Sequence, residues 1–251
     1  MKPTRADAAG RAYLDLQAQA RTTKRPVDEL LHLYVLEGFL ERLSRSSERA
    51  NLVLKGGVLL AAFGDRRPTR DVDLQARQLD NDAGHVRKVI SGIASIPADD
   101  GIRFDHGEAA SEVIRDEDAY RGVRVTMWAH LSSANVRFHV DVNVGDPVTP
   151  SPGPVAVPRL LGGYITVLGY PLAMVHAEKL ETAVARGTAN TRWRDFMDVV
   201  ALSRRHRVDG HELMTALQAV AAHRRTEVIP LTEALDGYGV IGQQRWAAWR
   251  R

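Results

Sequence analysis

Apolar and polar residues alternate most strictly over Val136-Arg-Phe-His-Val-Asp-Val-Asn-Val144. That period of two predicts a strand with Val136, Phe138, Val140, Val142 and Val144 on a core face and Arg137, His139, Asp141 and Asn143 on the other. Gly122 to Trp128 is a second strand-like run, and Ser132-Ser-Ala-Asn135 suits a hairpin connection between the two. A shorter alternation, Asp71-Val-Asp-Leu74, puts Asp71 and Asp73 on one side of a strand and Val72 and Leu74 on the other. Upstream, Asn51-Leu-Val-Leu-Lys-Gly-Gly-Val-Leu-Leu60 reads as a buried strand ending at Lys55, a Gly56-Gly57 turn and a helix starting near Val58.

Helical periodicity marks other stretches. Val27 to Leu43 predicts an amphipathic helix after Pro26, and Asp80 to Ile96 another lying on the sheet. The polar, basic segment before Pro26 is a loose helix or a tail. Asp99 to Asp118 is acidic and patternless, a loop with short strands. Behind Pro171, residues Leu172, Val175, His176, Lys179, Leu180 and Ala183 recur at steps of three and four, a helix with Lys179 beside its apolar stripe. Arg192 to Arg205 is helical too, with Trp193, Phe196, Met197, Val200 and Ala201 forming its apolar face. The Pro-rich run from Pro147 to Pro158 is the expected seam, after which Tyr164 to Leu168 adds an edge strand. The chain therefore reads as an α+β protein with a mixed sheet: a core with N-terminal helices over 1–158 and a mainly helical domain over 159–251. The tail beyond Pro230, with Trp246 and Trp249, docks on those helices or on a partner.

The acidic pair carries the first chemical expectation. Neighbouring carboxylates in a folded interior repel and are expensive to bury, so the arrangement asks for a divalent ion or an arginine. Magnesium takes hard oxygen ligands, one or two carboxylates together with substrate phosphates. If the strand of Asp141 joins that of Asp73, three carboxylates converge, enough for the paired ions of an in-line phosphoryl displacement. Against this stands the bland reading: Asp-x-Asp is common, and Asp141 is a solvated residue on an open sheet face. The Gly56-Gly57 turn lets backbone approach a phosphate at a helix start, or it is only a turn, since it is neither a Walker loop nor a G-x-G-x-x-G.

Leu-Lys-Gly-Gly-Val-Leu-Leu, Arg-Pro-Thr-Arg-Asp-Val-Asp-Leu, His-Val-Asp-Val-Asn-Val-Gly-Asp, Ala177-Glu-Lys-Leu-Glu-Thr-Ala183 and Arg194-Asp-Phe-Met-Asp-Val-Val200 follow one another in this order. Their order and spacing resemble the AbiEii/AbiGii toxin family of type IV toxin–antitoxin and phage-abortive systems, over Leu30 to Arg205. The resemblance implies a DNA-polymerase-β-like nucleotidyltransferase core with a helical C-terminal region. It also implies a nucleoside triphosphate (NTP) substrate, Mg2+ (with Mn2+ as a substitute) and transfer of nucleotides to tRNA 3′ ends or another RNA acceptor. A cognate antitoxin is implied as partner, with direct contact left open.

Carried over by position, Gly56 and Gly57, with Lys55, face the triphosphate, and Thr69 and Arg70 contact substrate. Asp71 and Asp73 are the catalytic metal-binding pair and Asp141 the third carboxylate. Lys179 meets triphosphate oxygens as a point charge, with Asp195 and Asp198 as paired acids near the active site. Many nucleotidyltransferases have Gly-Ser where this chain has Gly56-Gly57, and Arg194 replaces the commoner lysine. Read from the residues alone, Lys179 can equally be a snorkelling lysine with Glu178 or Glu181 as partner, and Asp195 an acid offsetting a helix dipole.

Composition narrows the alternatives. At 251 residues, 44% hydrophobic and 26% charged, the chain can bury a core and folds as a globular protein. It has no cysteine, which excludes disulfides and thiolate zinc sites and fits a cytoplasmic setting. No signal-peptide pattern and no apolar run of about 18–20 residues is present, so a membrane partner is not expected. A net charge of +3 alone does not indicate nucleic acid. The arginines nevertheless bunch late in the chain: Arg186, Arg192, Arg194, Arg204, Arg205, Arg207, Arg224 and Arg225. Arg192, Arg194, Arg204 and Arg205 are the candidate RNA contacts, or else a solvated helix face. Arg66, Arg67 and Arg70 lie close enough in sequence to the acidic pair to serve the triphosphate. Two other functions share the carboxylates: a nucleotidyltransferase of small molecules such as antibiotics, and a non-catalytic nucleotide-binding regulator.

Overall fold

In the computed structural model, which describes residues 3–115 and 121–249, the chain divides into two compact units. The first comprises residues 1–145 and 153–169, the second 146–152 and 170–251. In chain order the first unit carries helices α1 (Ala8–Thr23) and α2 (Val27–Arg45), strand β1 (Leu52–Lys55), the one-turn helix α3 (Gly56–Leu59) and strand β2 (Asp71–Ala76). Helix α4 (Ala83–Ala94) and strands β3 (Arg103–Phe104), β4 (Ala110–Arg115), β5 (Arg121–Leu131), β6 (Ala134–Val144), β7 (Gly153–Pro158) and β8 (Tyr164–Gly169) complete it.

The strands form one mixed sheet in the order β3-β5-β6-β2-β1-β8-β7, with β4 also on β5. The β2/β6 and β1/β8 pairs are parallel and the rest antiparallel. The expected hairpin is present: β5 and β6 pair from Gly122↔Asn143 to Leu131↔Ala134 around Ser132 and Ser133. Val123, Val125, Met127, Val136, Phe138, Val140 and Val142 are buried, as the alternation requires, and Phe138 meets Phe39 of α2 and Phe104 of β3. Helices α1, α2 and α4 pack against the sheet on this side.

The segment before Pro26 is a regular helix. Asp7 caps α1 by accepting from the Gly10 N–H at 2.7 Å, and Leu16 is fully buried. Helix α2 is buried along most of its length, beyond a single apolar stripe, and α4 starts at an Asp82 cap. Among the described residues, Asp99 to Asp118 holds β3, a short turn and β4; residues 116–118 lie outside them.

The seam differs from the expected one. The boundary falls after Gly169 instead of Pro158, because β7 and β8 pair with each other and β8 joins β1 at Leu54↔Gly169. Tyr164–Gly169 is thus an interior strand, and β7 forms the edge.

The second unit is helical: α5 (Leu172–Arg186), α6 (Trp193–Arg205), α7 (Gly210–Arg224), α8 (Leu231–Ala234) and α9 (Tyr238–Trp249). Helix α5 packs on α6, α7 and α8. Tyr238 at the start of α9 stacks on Trp193 at 5.4 Å and tilts against Phe196 at 5.3 Å, so the tail docks through Tyr238; the side chains of Trp246 and Trp249 lie outside the described residues. No helix among the described residues is long and apolar enough to cross a membrane.

Candidate active site

The sheet register assembles one charged row on the face opposite the core. Lys55 of β1 is opposite Asp73 of β2, Asp73 is beside Asp141 of β6, Asp141 is opposite Arg124 of β5, and Arg124 is opposite Glu112 of β4. Residues paired across a ladder project to the same face, so these five charges alternate with a doubled carboxylate at the centre. The adjacent row holds Asp71, His139 and Thr126. Asp71, Asp73 and Asp141 each bring a carboxylate oxygen to within 4.8 Å of the others. The convergence expected from alternation is therefore realised, and its cause is the parallel β2/β6 pairing.

Each acid is held separately. The Thr69 hydroxyl donates to Asp71 at 2.8 Å, and the Gly57 N–H donates to Asp73. Gly56 has φ 65°, and a Cβ there would lie 1.8 Å from Asp73 Oδ2; one on Gly57 would lie 2.7 Å from Thr69 Oγ1. The glycine turn thus lets the backbone close over the acidic pair, and any side chain at Gly56 would displace Asp73. Burial, reinforced by the charges of Asp71 and Asp141, pushes the Asp73 carboxyl up to about 7, against the pull of Lys55 and the Gly57 N–H. Negative charge exceeds what the neighbouring cations neutralise, and the donors are hard oxygens, so the site fits a magnesium-type ion.

A pH dependence follows from Asp73. Between its ordinary value of 3.8 and about 7 the folded protein holds more protons than the unfolded chain, so this group's contribution to stability is present below that window and lost as pH rises through it. At pH 8 the carboxylate is ionised and strained until a cation arrives. Mg2+ should therefore raise the melting temperature more at pH 8 than at pH 5 in calorimetric scans, and an equal or larger rise at pH 5 would contradict this picture.

Arg124 is the site residue the sequence reading missed. Its guanidinium donates from Nε to Asp141 Oδ1 at 2.8 Å and from a terminal nitrogen to Asp141 Oδ2 at 2.7 Å, a bidentate pair, with Asp141 only 8% exposed. The expected Ser132–Asn135 connection hid it: the strands turn at Ser132 and Ser133 alone, and that tighter turn places position 124 opposite 141. Arg124 occupies both oxygens that Asp141 would offer an ion, so Arg124→Met should tighten Mn2+ binding by about tenfold through removal of a competing cation. Electron paramagnetic resonance titration measures this, and weaker binding would show that Arg124 prepares Asp141 instead.

Other expected contacts divide. Lys55 and Thr69 are buried at the site, and Arg70 is exposed, with its carbonyl 3.1 Å from His32 Nε2. Arg66 is committed elsewhere, to Glu37 and the Pro158 carbonyl, because a buried Glu37 needs a cation.

In the second unit, the Lys179 ammonium donates to Asp195 at 2.5 Å and to Asp198 at 2.8 Å, and Arg192 donates to the other Asp195 oxygen at 2.6 Å. Burial would raise the Asp195 carboxyl, but Lys179 and Arg192 outweigh it and hold it below the usual carboxylate range. Lys179 is therefore no snorkelling lysine, and its partners are neither Glu178 nor Glu181. This ion pairing turns α6: Asp195, Asp198 and Leu202 face inward, while Met197 is 70% and Val200 47% exposed, so the apolar face expected from the pattern faces solvent in part. Arg194, Arg204 and Arg205 lie exposed on α6, and Arg192 is exposed beside its Asp195 contact. Arg224 leaves the candidate basic surface, since it is held inside by Glu181, Thr182, Glu178 and Asp146. The acidic cluster and the Lys179 cluster belong to different units.

The family model "Nucleotidyl transferase AbiEii toxin, Type IV TA system" matches residues 38–251. No curated protein matches the chain. Among solved structures, JHP933 from Helicobacter pylori is 14% identical, with 86% of this chain and 90% of that one covered and a TM-score of 0.40. An antigenic nucleotidyltransferase-like protein from Paracoccidioides brasiliensis is 14% identical over 79% of this chain and 94% of that one, with a TM-score of 0.44.

Proposed function

The chain belongs to the AbiEii family of nucleotidyl transferase toxins of type IV toxin–antitoxin systems, and on that premise we propose that it transfers a nucleoside monophosphate from an NTP to an RNA 3′ end, that of tRNA foremost, and so blocks translation. The observation that carries the metal-dependent part of this reading is the convergence of Asp71, Asp73 and Asp141 within 4.8 Å. Asp71 and Asp73, with Asp141 as third ligand, would hold the ion. A bound Mg2+, or Mn2+ in its place, neutralises phosphate charge and orients the triphosphate.

The acceptor hydroxyl oxygen bonds to the α-phosphorus as the bond to pyrophosphate breaks. A carboxylate of the cluster takes the hydroxyl proton. Catalysis then rests on positioning and charge neutralisation. Gly56, Gly57, Lys55, Thr69 and Arg70 line the substrate side of the cluster in this reading. Within the helical unit Asp195 and Asp198 fix the Lys179 ammonium, and Arg192, Arg194, Arg204 and Arg205 offer charge to RNA phosphates. The reaction takes place in the cytoplasm, where NTP and tRNA are found, with a cognate antitoxin opposing it.

The test incubates purified protein with each α-labelled NTP, Mg2+ and either total RNA or a set of aminoglycosides. Label should appear on tRNA-sized RNA and vanish with chelator. Label on antibiotic alone would favour a small-molecule transferase, and NTP binding without any product a regulator.

A further inference from the structure

Trp128 is out of place on its strand. On β5 the core positions are apolar and buried, whereas the opposite face carries Arg124, Thr126, Trp128 and His130, and there Trp128 is 45% exposed. Its ladder partner is Arg137 of β6, also exposed; the next row on this face is Thr126 with His139, which Asp71 of β2 adjoins, and the row after it is Arg124 with Asp141, which Asp73 adjoins. Strand rise puts the Trp128/Arg137 row about 13 Å from the Arg124/Asp141 row, on the same face. The intervening row is polar and closed on itself, Thr126 Oγ1 lying 2.8 Å from His139 Nδ1. At the far end His130 is bound to Asp105 and Asn135, and Arg103 to Asp105, so those charges are largely cancelled. The stripe running from the carboxylates thus presents a flat indole and a guanidinium side by side.

We propose that this face of the β5–β6 hairpin seats the single-stranded end of the RNA acceptor, with Trp128 stacked on a base and Arg137 on a neighbouring phosphate. The inference rests on the RNA-acceptor reading above. The site suits an unpaired strand, whose bases offer free faces to an indole, whereas bases inside a duplex are already stacked on one another. A base held there lies one row, about 7 Å, from the row of Asp71 and about 13 Å from that of Asp73 and Asp141, close enough for the terminal hydroxyl to reach the cluster while the strand follows the hairpin. Stacking reads no particular base, so selection of one RNA over another comes from other contacts.

The experiment measures binding of a fluorescein-labelled single-stranded RNA and of total tRNA by anisotropy, alongside transfer kinetics, for wild type, Trp128→Ala, Trp128→Phe, Arg137→Gln, Arg204→Gln and Arg205→Gln. Trp128→Ala should weaken RNA binding by roughly tenfold or more and raise KM for RNA, Trp128→Phe should restore most of both, and NTP affinity by calorimetry should hold. Arg137→Gln should lower the slope of log affinity against log salt by about one, a readout independent of how Trp128→Ala folds. If wild type labels RNA and both Trp128→Ala and Arg137→Gln bind it as wild type does, this inference is overturned and the proposed function stands. Loss of binding confined to Arg204→Gln and Arg205→Gln would also overturn it, by placing the strand on α6. If wild type labels no RNA at all, the underlying reading fails first.

Discussion

Asp73→Asn is expected to lower the rate of nucleotidyl transfer at least about a thousandfold, some 4 kcal/mol of transition-state stabilisation, while raising the melting temperature of the metal-free protein at pH 8. The two effects share one origin. Asp73 lies between Asp71 and Asp141, under the Gly56 backbone, where burial and two like charges hold its carboxyl near 7. An uncharged amide of the same shape removes that repulsion, so the fold gains, and it removes a hard anionic ligand, so ion binding fails. A residue that served only packing would lose stability on substitution and keep activity. Transfer assays and calorimetry on one preparation separate the cases, and an Asp73→Asn protein that transfers label at the wild-type rate would refute the metal role.

Arg42→Met is expected to destabilise the protein by about 3–5 kcal/mol, since removal of one partner leaves a buried charge uncompensated. Arg42 in α2 donates to both Asp100 oxygens at 2.6 and 3.2 Å and to the carbonyls of Gly38 and Ile102, and it lies 4.7 Å from the Phe104 ring centre. Both charged side chains are almost wholly buried. The pair ties α2 to the chain entering β3, beneath the sheet that displays the carboxylates. Urea denaturation measures the loss. The double variant Arg42→Met with Asp100→Asn should recover part of it, because the orphaned charge is then gone; a double variant as weak as the sum of the single losses would show that the pair acts through packing alone.

How far the sequence speaks for this molecule depends on whether a feature is local. The β5–β6 hairpin is legible from alternation and the Ser132–Asn135 connection, but its register, and with it the Arg124–Asp141 pair, is set by a turn two residues tighter than that connection. That Asp71 and Asp73 meet Asp141 depends on β2 lying parallel to β6, a contact between strands remote in sequence that no local pattern encodes. The seam misleads for a similar reason: prolines between Pro147 and Pro158 resemble a linker, yet β7 and β8 are drawn into the sheet by a bridge between Leu54 and Gly169. On α6 the hydrophobic periodicity of Trp193, Phe196, Met197 and Val200 is real, but Lys179 on α5 attracts Asp195 and Asp198 inward, and a tertiary ion pair overrides the stripe. Family likeness supplies what neither pattern nor fold could, namely that the acids belong to a nucleotidyl transferase.

The most direct measurement locates the ion. Crystals of the full chain grown with Mn2+ and a non-hydrolysable NTP, examined for anomalous scattering, should show manganese bound by oxygens of Asp71 and Asp73 at coordination distance, with nucleotide phosphate on the same ion. Manganese bound elsewhere, with these carboxylates unligated beside a bound nucleotide, would contradict the assignment of the cluster as the metal end of the transfer site.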